Sequence, residues 1–182
     1  MVARFNLLPE LRRRIGYEIN MAKAGKEARI ILKMNALQDP AMIDELYKAS
    51  EAGVKIDLIV RGICCLIPNQ PYSRNIRITR IVDSFLEHAR VWYFHHGGKP
   101  LLFMGSPDWM RRNLYRRIEA VTPILDEDLK QQLIDMLVIQ LKDNRKAGWV
   151  DENLNNVLKR NPKEEPVRAQ YAFYEYLKRK NK

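Results

Sequence analysis

All three histidines of the 182-residue chain fall between residues 84 and 99. There His88-Ala89-Arg90 leads into the apolar run Val91-Trp92-Tyr93-Phe94. His95-His96-Gly97-Gly98 makes a turn, and a second run, Leu101 to Met104, ends in Gly105-Ser106-Pro107-Asp108-Trp109. The pattern reads as a β-hairpin that holds one histidine at the mouth of a sheet. Histidine moves protons near neutral pH and can act as a nucleophile. Residues two apart on a strand point the same way, so the spacing turns His88 and Arg90 toward one cavity. A Gly105-Ser106 turn offers backbone N–H groups and a hydroxyl to phosphate oxygens. A histidine, a cation and a small-residue cradle together suit phosphoryl transfer. On spacing alone, the alternative of a structural histidine in an apolar hairpin stays open.

The elements that must position these groups are legible in order. Leu7-Leu8-Pro9 starts a helix striped by Leu11, Ile15, Tyr17, Ile19 and Ala22 and ended by Gly25. Ala28 to Asn35 is a strand covered on both faces. Asp39 caps a helix with Pro40 in its first position and Met42, Ile43, Leu46, Tyr47 and Ala49 on its inner face. Val54 to Gly62 is the next strand, so the unit is a parallel crossover. Arg61 falls at the carboxyl end of that strand, where open α/β sheets bind ligands; pairing with a surface carboxylate is the alternative. Asn75–Val82 alternates as a half-exposed strand, and Arg117–Ile124 is another, with Pro123 at its end or a bulge. Asp126-Glu127-Asp128 opens a helix striped by Leu129, Leu133, Met136, Leu137, Ile139 and Leu141. Residues 146–166 are polar and expected to be irregular, and Val167–Lys180 forms a last helix with Tyr171, Tyr174 and Leu177 on one face.

Composition narrows the class. The length fits one domain, residues 1–182, with 146–182 as a polar excursion plus C-terminal helix. No apolar run reaches the roughly 18 residues that span a bilayer, and the N-terminus lacks a signal-peptide core, so a cytoplasmic location is expected. Cys64 and Cys65 give no disulfide framework and no metal-ligand spacing. Thirty-two Lys and Arg against 22 Asp and Glu leave a net charge of +10, which implies a polyanionic partner. No nucleic-acid motif accompanies that charge, so specific nucleic-acid binding is not expected.

The hairpin resembles the second half of a phospholipase D-type site, whose pattern is His-x-Lys, four residues, Asp, then Gly-Ser. Here Arg90 stands at the Lys position and His95 at the Asp position, which argues against an ordinary phospholipase or nuclease. A narrower resemblance fits the departures. Phe5-Asn6-Leu7-Leu8-Pro9, Ile31-Leu32-Lys33-Met34-Asn35, Val60-Arg61-Gly62-Ile63-Cys64, Phe85 to Arg90, Phe94 to Gly98, Gly105 to Asn113 and Val167-Arg168-Ala169-Gln170 are together similar to the last domain of bacterial polyphosphate kinases. The resemblance implies an α/β, phospholipase D-like mixed β-sheet flanked by helices on both faces. It implies reversible transfer of the ATP terminal phosphate to polyphosphate, with ATP/ADP and Mg²⁺, through a phosphohistidine in a preceding domain that this chain lacks. The partners implied are the amino-terminal, head and first catalytic domains, and a homo-oligomer when full length. Alone, the chain is expected to be inactive.

By the same resemblance His88 matches the second histidine of the site, a nucleotide-phosphate contact and candidate general acid/base, and Arg61 the ATP-binding arginine. Arg90 orients His88, meets phosphate, or pairs with Glu87 or Glu119. Ser106, Arg111, Arg112 and Asn113 are candidate phosphate or polyphosphate contacts, no residue is assigned to metal, and His95 and His96 are rim or structural residues. Peripheral association with a membrane is compatible with the charge. Two alternatives remain: a phospholipase D-like phosphodiesterase that completes its site as a homodimer, and a basic polyanion-binding module.

Overall fold

The computed structural model describes residues 1–160 and 163–180. Its elements are α1 (Leu7–Lys23), β1 (Arg29–Met34), α2 (Pro40–Glu51), β2 (Lys55–Val60), β3 (Ile76–Ile81), β4 (Val91–Phe94), β5 (Leu101–Gly105), α3 (Arg111–Tyr115), β6 (Val121–Pro123), α4 (Glu127–Leu141), β7 (Ala147–Val150), β8 (Asn156–Leu158) and α5 (Ala169–Lys180). The strands form one eight-stranded sheet in the order β6-β5-β4-β1-β2-β3-β7-β8. Its centre, β1-β2-β3, is parallel, and every outer pairing is antiparallel.

Alternation along the central strands builds two cores. Ile30, Leu32, Met34, Ile56, Leu58 and Val60 face α1 and α2, packing with Leu7, Leu11, Ile15, Met42 and Leu46. Ile31, Ile59 and Ile81 face the other way, against Met136 and Leu137 of α4 and Ala169 of α5. Helices therefore cover both faces, as the sequence patterns require. Trp92 and Trp109, both fully buried, meet edge to face at 5.8 Å between ring centroids and lock the β4–β5 region to the first core. The α2 start follows its sequence signal: the Asp39 carboxylate accepts the Met42 N–H at 3.1 Å, and Pro40 is the first helical residue.

Several elements depart from the expectation. The buried face of α1 is Leu7, Leu11, Ile15 and Glu18, while Tyr17 lies at the rim against His96. Glu18 is buried as an acceptor for the N–H groups of Arg29 and His96, at 3.2 and 2.7 Å. The stretch expected to be irregular after Lys146 instead pairs as β7 and β8 on the open edge of β3; its residues 161 and 162 lie outside those described. The free backbone groups of an edge strand recruit even a short, weakly patterned partner. Asp143 sets this up by accepting the N–H groups of Arg145, Lys146 and Ala147 on one oxygen and that of Ala169 on the other. In α5 it is Ala169 and Phe173 that face the core, with Tyr171 and Tyr174 exposed. The strand expected over Arg117–Ile124 shrinks to Val121–Pro123 at the sheet edge, with Pro123 as its last residue.

Candidate functional site

The expected β-hairpin forms, with Val91 opposite Met104 and Phe94 opposite Leu101. Its turn needs the left-handed region at His96, Gly97 and Gly98, with φ of 51°, 65° and 87°. The strand starts at Val91, however, so His88-Ala89-Arg90 is an irregular approach to the sheet rather than part of it. The two-residue alternation does not apply there, and the two side chains go separate ways. His88 is exposed, and among the described residues its imidazole has no hydrogen bond or ion pair. Arg90 turns inward to Asp108 instead, Nη2 to Oδ2 at 2.9 Å and Nε to Oδ1 at 3.3 Å. Its remaining nitrogen, Nη1, donates to the His88 carbonyl at 2.9 Å. Arg90 therefore fixes the backbone of His88 and pairs with neither Glu87 nor Glu119.

Asp108 and Asn35 make the hub of this edge. Asp108 Oδ1 accepts the backbone N–H groups of Asn35 and Ala36 at 2.7 and 3.2 Å, where the chain leaves β1. The Asn35 amide donates to Asp108 and to the His88 carbonyl, at 3.3 and 3.4 Å. Burial pushes the Asp108 carboxyl up, but Arg90 and the two N–H groups outweigh it and hold it below its ordinary value. On the other side, the Gly62 N–H donates to the Asn35 carbonyl at 2.8 Å, which seats Arg61 next to the same asparagine. Arg80 donates to the carbonyls of Gly62 and Val60, at 2.8 and 3.4 Å, and braces the strand end. Arg61 itself is half-buried, and its guanidinium has no hydrogen bond or ion pair among the described residues. The backbones at Arg61-Gly62 and His88 are thus both tied to Asn35 at the carboxyl edge of the parallel strands.

The segment that carries His88 is stapled from the other face of the sheet. Lys33, buried on β1, donates to Glu87 at 2.7 Å, and Gln140 and Gln170 donate to the same carboxylate at 2.9 Å each. Burial lowers Lys33 from its ordinary value; burial works to raise Glu87, yet Lys33 and the two amides win and lower it. Gln170 also exchanges a pair of hydrogen bonds with the Phe85 backbone, at 2.9 and 2.8 Å. Arg168 grips Asp83 through Nε and Nη2, at 2.8 and 2.6 Å. The Val167-Arg168-Ala169-Gln170 motif is therefore a clamp on residues 83–87.

The Gly105-Ser106 cradle is already filled. The Ser106 N–H donates to the Ala120 carbonyl at 3.1 Å, and its hydroxyl donates to Glu119, which also takes the Asn113 amide at 2.6 Å. Any side chain at residue 105 would strike the Ala120 carbonyl and Val121, so glycine here serves close strand approach. Asn113 is buried, whereas Arg111 and Arg112 are exposed on α3. His95 and His96 lie at the opposite end of β4 from His88 and face Tyr93, Glu27 and Tyr17. Among the described residues no three His, Cys, Asp or Glu side chains converge as metal ligands. Glu87, Asp108 and Glu119 are each taken by donors, so this residue set does not fit Mg²⁺.

Sequence reasoning singled out His88, Arg61 and Arg90 but gave Asp108, Asn35 and Lys33 no role, and offered Glu87 only as a partner for Arg90 where the structure pairs it with Lys33. The signal was there in part: a polar residue ending a buried strand and a lysine inside it both need partners.

A parallel centre with antiparallel wings, helices on both faces and a histidine beside the carboxyl edge is a phospholipase D-like α/β fold. NucT from Helicobacter pylori shares that fold, with a TM-score of 0.54 at 12% identity over 78% of this chain and 93% of that one. Residues 1–170 match the family described as polyphosphate kinase C-terminal domain 2, and the chain belongs to that family. It is 47% identical to polyphosphate kinase of Halalkalibacterium halodurans over 91% of its length and 24% of that protein. It is also 47% identical to polyphosphate kinase of Vibrio cholerae, over 95% of its length and 25% of that protein. The crystal structure of polyphosphate kinase from Porphyromonas gingivalis superposes with a TM-score of 0.98 at 57% identity, over 99% of this chain and 28% of that one. The chain thus spans about a quarter of the relatives it matches. Among the described residues no helix is long and apolar enough to cross a membrane.

Proposed function

We propose that residues 1–182 are one catalytic domain of a polyphosphate kinase, an enzyme that moves the terminal phosphate of ATP reversibly onto polyphosphate. In the first step the bond from the γ-phosphorus to the ADP oxygen breaks as a bond to histidine nitrogen forms, and that histidine belongs to a preceding domain. In the second, the phosphorus leaves nitrogen for a terminal polyphosphate oxygen. This chain supplies the opposite wall. Arg61 holds nucleotide phosphate with a planar, permanently charged fork. His88 stands opposite the phosphohistidine, where it contacts phosphate and takes or gives a proton. Arg90 is a positioning residue for His88, held by Asp108. Arg111 and Arg112 extend the positive wall along the polyphosphate path; Ser106 and Asn113 support it from beneath. When bound with the nucleotide, Mg²⁺ would supply charge screening of its phosphates; no residue of this chain is assigned to it. A homo-oligomeric full-length enzyme, cytoplasmic and in peripheral contact with anionic membrane through its basic surface, goes with this reading.

The observation that supports it is that the backbone at His88 and the backbone next to Arg61 are both tied to Asn35, with neither side chain bonded among the described residues while the neighbouring carboxylates are engaged. The test is polyphosphate synthesis from ATP and Mg²⁺ by the full enzyme carrying this chain, or by this chain with the remaining domains supplied in trans. His88→Ala and Arg61→Ala are each expected to lower kcat by about 10²–10³, as for loss of one group that stabilises transition-state charge, with urea midpoints unchanged. Synthesis that survives both substitutions refutes the assignment.

A further inference from the structure

The opposite edge of the sheet carries a second concentration of positive charge. Strand register places Arg29, Asp57 and Arg77 on the face that holds Ile31 and Ile59, and the pairing of Thr79 with Trp149 continues that row onto β7. The helices α4 and α5 cover the isoleucines but leave the row open: Arg77 is exposed, and Arg29, Asp57 and Trp149 are half-buried. Two cavities of about 400 and 530 Å³ lie over it. Arg29, Lys55, Asp57, Arg74 and Arg77 line the first. Arg77, Lys142, Trp149, Lys159 and Arg160, together with Glu164 and Glu165, line the second. Arg77 lines both, so the two adjoin at its side chain and make up one basic trough along the sheet end.

The charges in it are unequal. Asp57 is spent on Arg29, at 2.7 Å. Arg74 and Arg77 are exposed, with no hydrogen bond or ion pair among the described residues. Lys159 is fixed, its ammonium donating to the Leu141 carbonyl at 2.8 Å and lying 3.8 Å from the Trp149 ring centroid. From β1 to β8 the trough crosses four strand spacings, about 19 Å at ~4.8 Å each. A single phosphate cannot reach across that length, and a linear polyanion can. The face of Trp149 that stacks under Lys159 is closed to a nucleobase, which favours a chain of phosphates over nucleic acid.

The geometry points to a second polyphosphate-binding site in this trough, remote from His88 and centred on Arg74 and Arg77. The choice of ligand rests on the proposed function. The trough lies about 20 Å from the carboxyl edge, the length of a six-residue strand. A long polyphosphate held here stays at high effective concentration near the enzyme between transfers, and a short one does not reach both places.

Tryptophan fluorescence reads the site directly, because Trp92 and Trp109 are buried and Trp149 alone of the three is partly open. Long-chain polyphosphate, tripolyphosphate and single-stranded oligothymidylate are titrated into the chain at several salt concentrations. Long polyphosphate is expected to give a saturable change, absent in Trp149→Phe. Arg74→Ala/Arg77→Ala should weaken it at least about tenfold and lower the salt slope by about 2, one counterion release per lost contact. Arg61→Ala should bind as wild type does. A fluorescence change that survives the arginine pair, or that falls only with Arg61→Ala, overturns the proposal, as does oligothymidylate binding as tightly as polyphosphate. Circular dichroism melts of the arginine variant confirm that it folds. In the full enzyme that variant should keep ATP-dependent synthesis and lose preference for long primers. Loss of the trough thus reads differently from failure of the His88 and Arg61 assignment, which abolishes synthesis itself.

Discussion

Asp108→Asn and Asp108→Ala probe the joint on which the candidate site is built. The carboxylate accepts from two backbone N–H groups, the Asn35 amide and two Arg90 nitrogens. Alanine leaves a largely buried guanidinium without its anion and two buried N–H groups without an acceptor. Breaking a buried pair by deleting one partner costs about 3–5 kcal/mol, and the partial exposure of Arg90, 14% of its side chain, places the value near the lower end. Asparagine keeps an acceptor for the N–H groups and loses only the charge, for about 1.5–3 kcal/mol. With an m-value of about 2–3 kcal/mol/M, the urea midpoint should fall by about 1–2 M for alanine and about 0.5–1.5 M for asparagine. A double-mutant cycle of Asp108→Asn with Arg90→Met should show a coupling of about 1–3 kcal/mol. The pH dependence has a definite sign. The folded-state pKa of Asp108 is lowered, so its stabilisation is fully present above the unfolded value near 3.8 and fades as pH falls below it. The gap between wild type and Asp108→Asn should hold from pH 7 to about pH 4 and close below. A coupling near zero, or a gap that widens with acid, refutes the hub.

Three further outcomes follow from neighbouring contacts. Arg168 holds the Asp83 carboxyl down to about 2, so acid between pH 4 and 2 should release the clamp on residues 83–87; Asp83→Asn should remove that step from a pH series of backbone amide shifts. Gln170→Leu breaks the paired bonds to Phe85, and hydrogen exchange at Phe85 should speed by at least about tenfold while β1–β3 amides stay protected; equal loosening everywhere would make Gln170 a general stabiliser instead. Burial pushes the Cys64 thiol up to about 11 whereas Cys65 is exposed, so iodoacetamide at pH 8 should label Cys65 first, with Cys64 reacting only on unfolding, as read by peptide mass spectrometry.

Where local physics decides, the chain was readable. Buried parallel strands need long β-branched runs, and Ile30-Ile31-Leu32 and Ile56 to Val60 are such runs. Asp39-Pro40 specifies a helix start by sterics and one hydrogen bond. The failures arise where a residue answers to something distant in sequence. His88 and Arg90 looked like strand neighbours because their spacing is right, but Asp108, eighteen residues on, captures Arg90 and the strand begins after it. Gly105-Ser106 looked like an open cradle because Glu119, thirteen residues away, gave no sign that it would fill it. The strands β7 and β8 were missed because they owe their form to the free edge of β3 and the Asp143 turn rather than to their own pattern. That Arg61 directly follows a strand was legible, since the end of a well-marked strand is itself a local fact.

The strand order has a consequence for how the chain assembles. The first three strands in sequence are the adjacent parallel centre, and the later ones add outward, β4-β5-β6 on one flank and β7-β8 on the other. During synthesis the central unit is complete before either flank emerges, and each flank arrives as an antiparallel meander with short-range loops. Two pairings close long loops: β4 must bypass β2 and β3 to reach β1, and β7 must return past β4-β5-β6 and α4 to reach β3, so those two closures, the first sealed by Asp108 on Asn35, are where slow folding should concentrate.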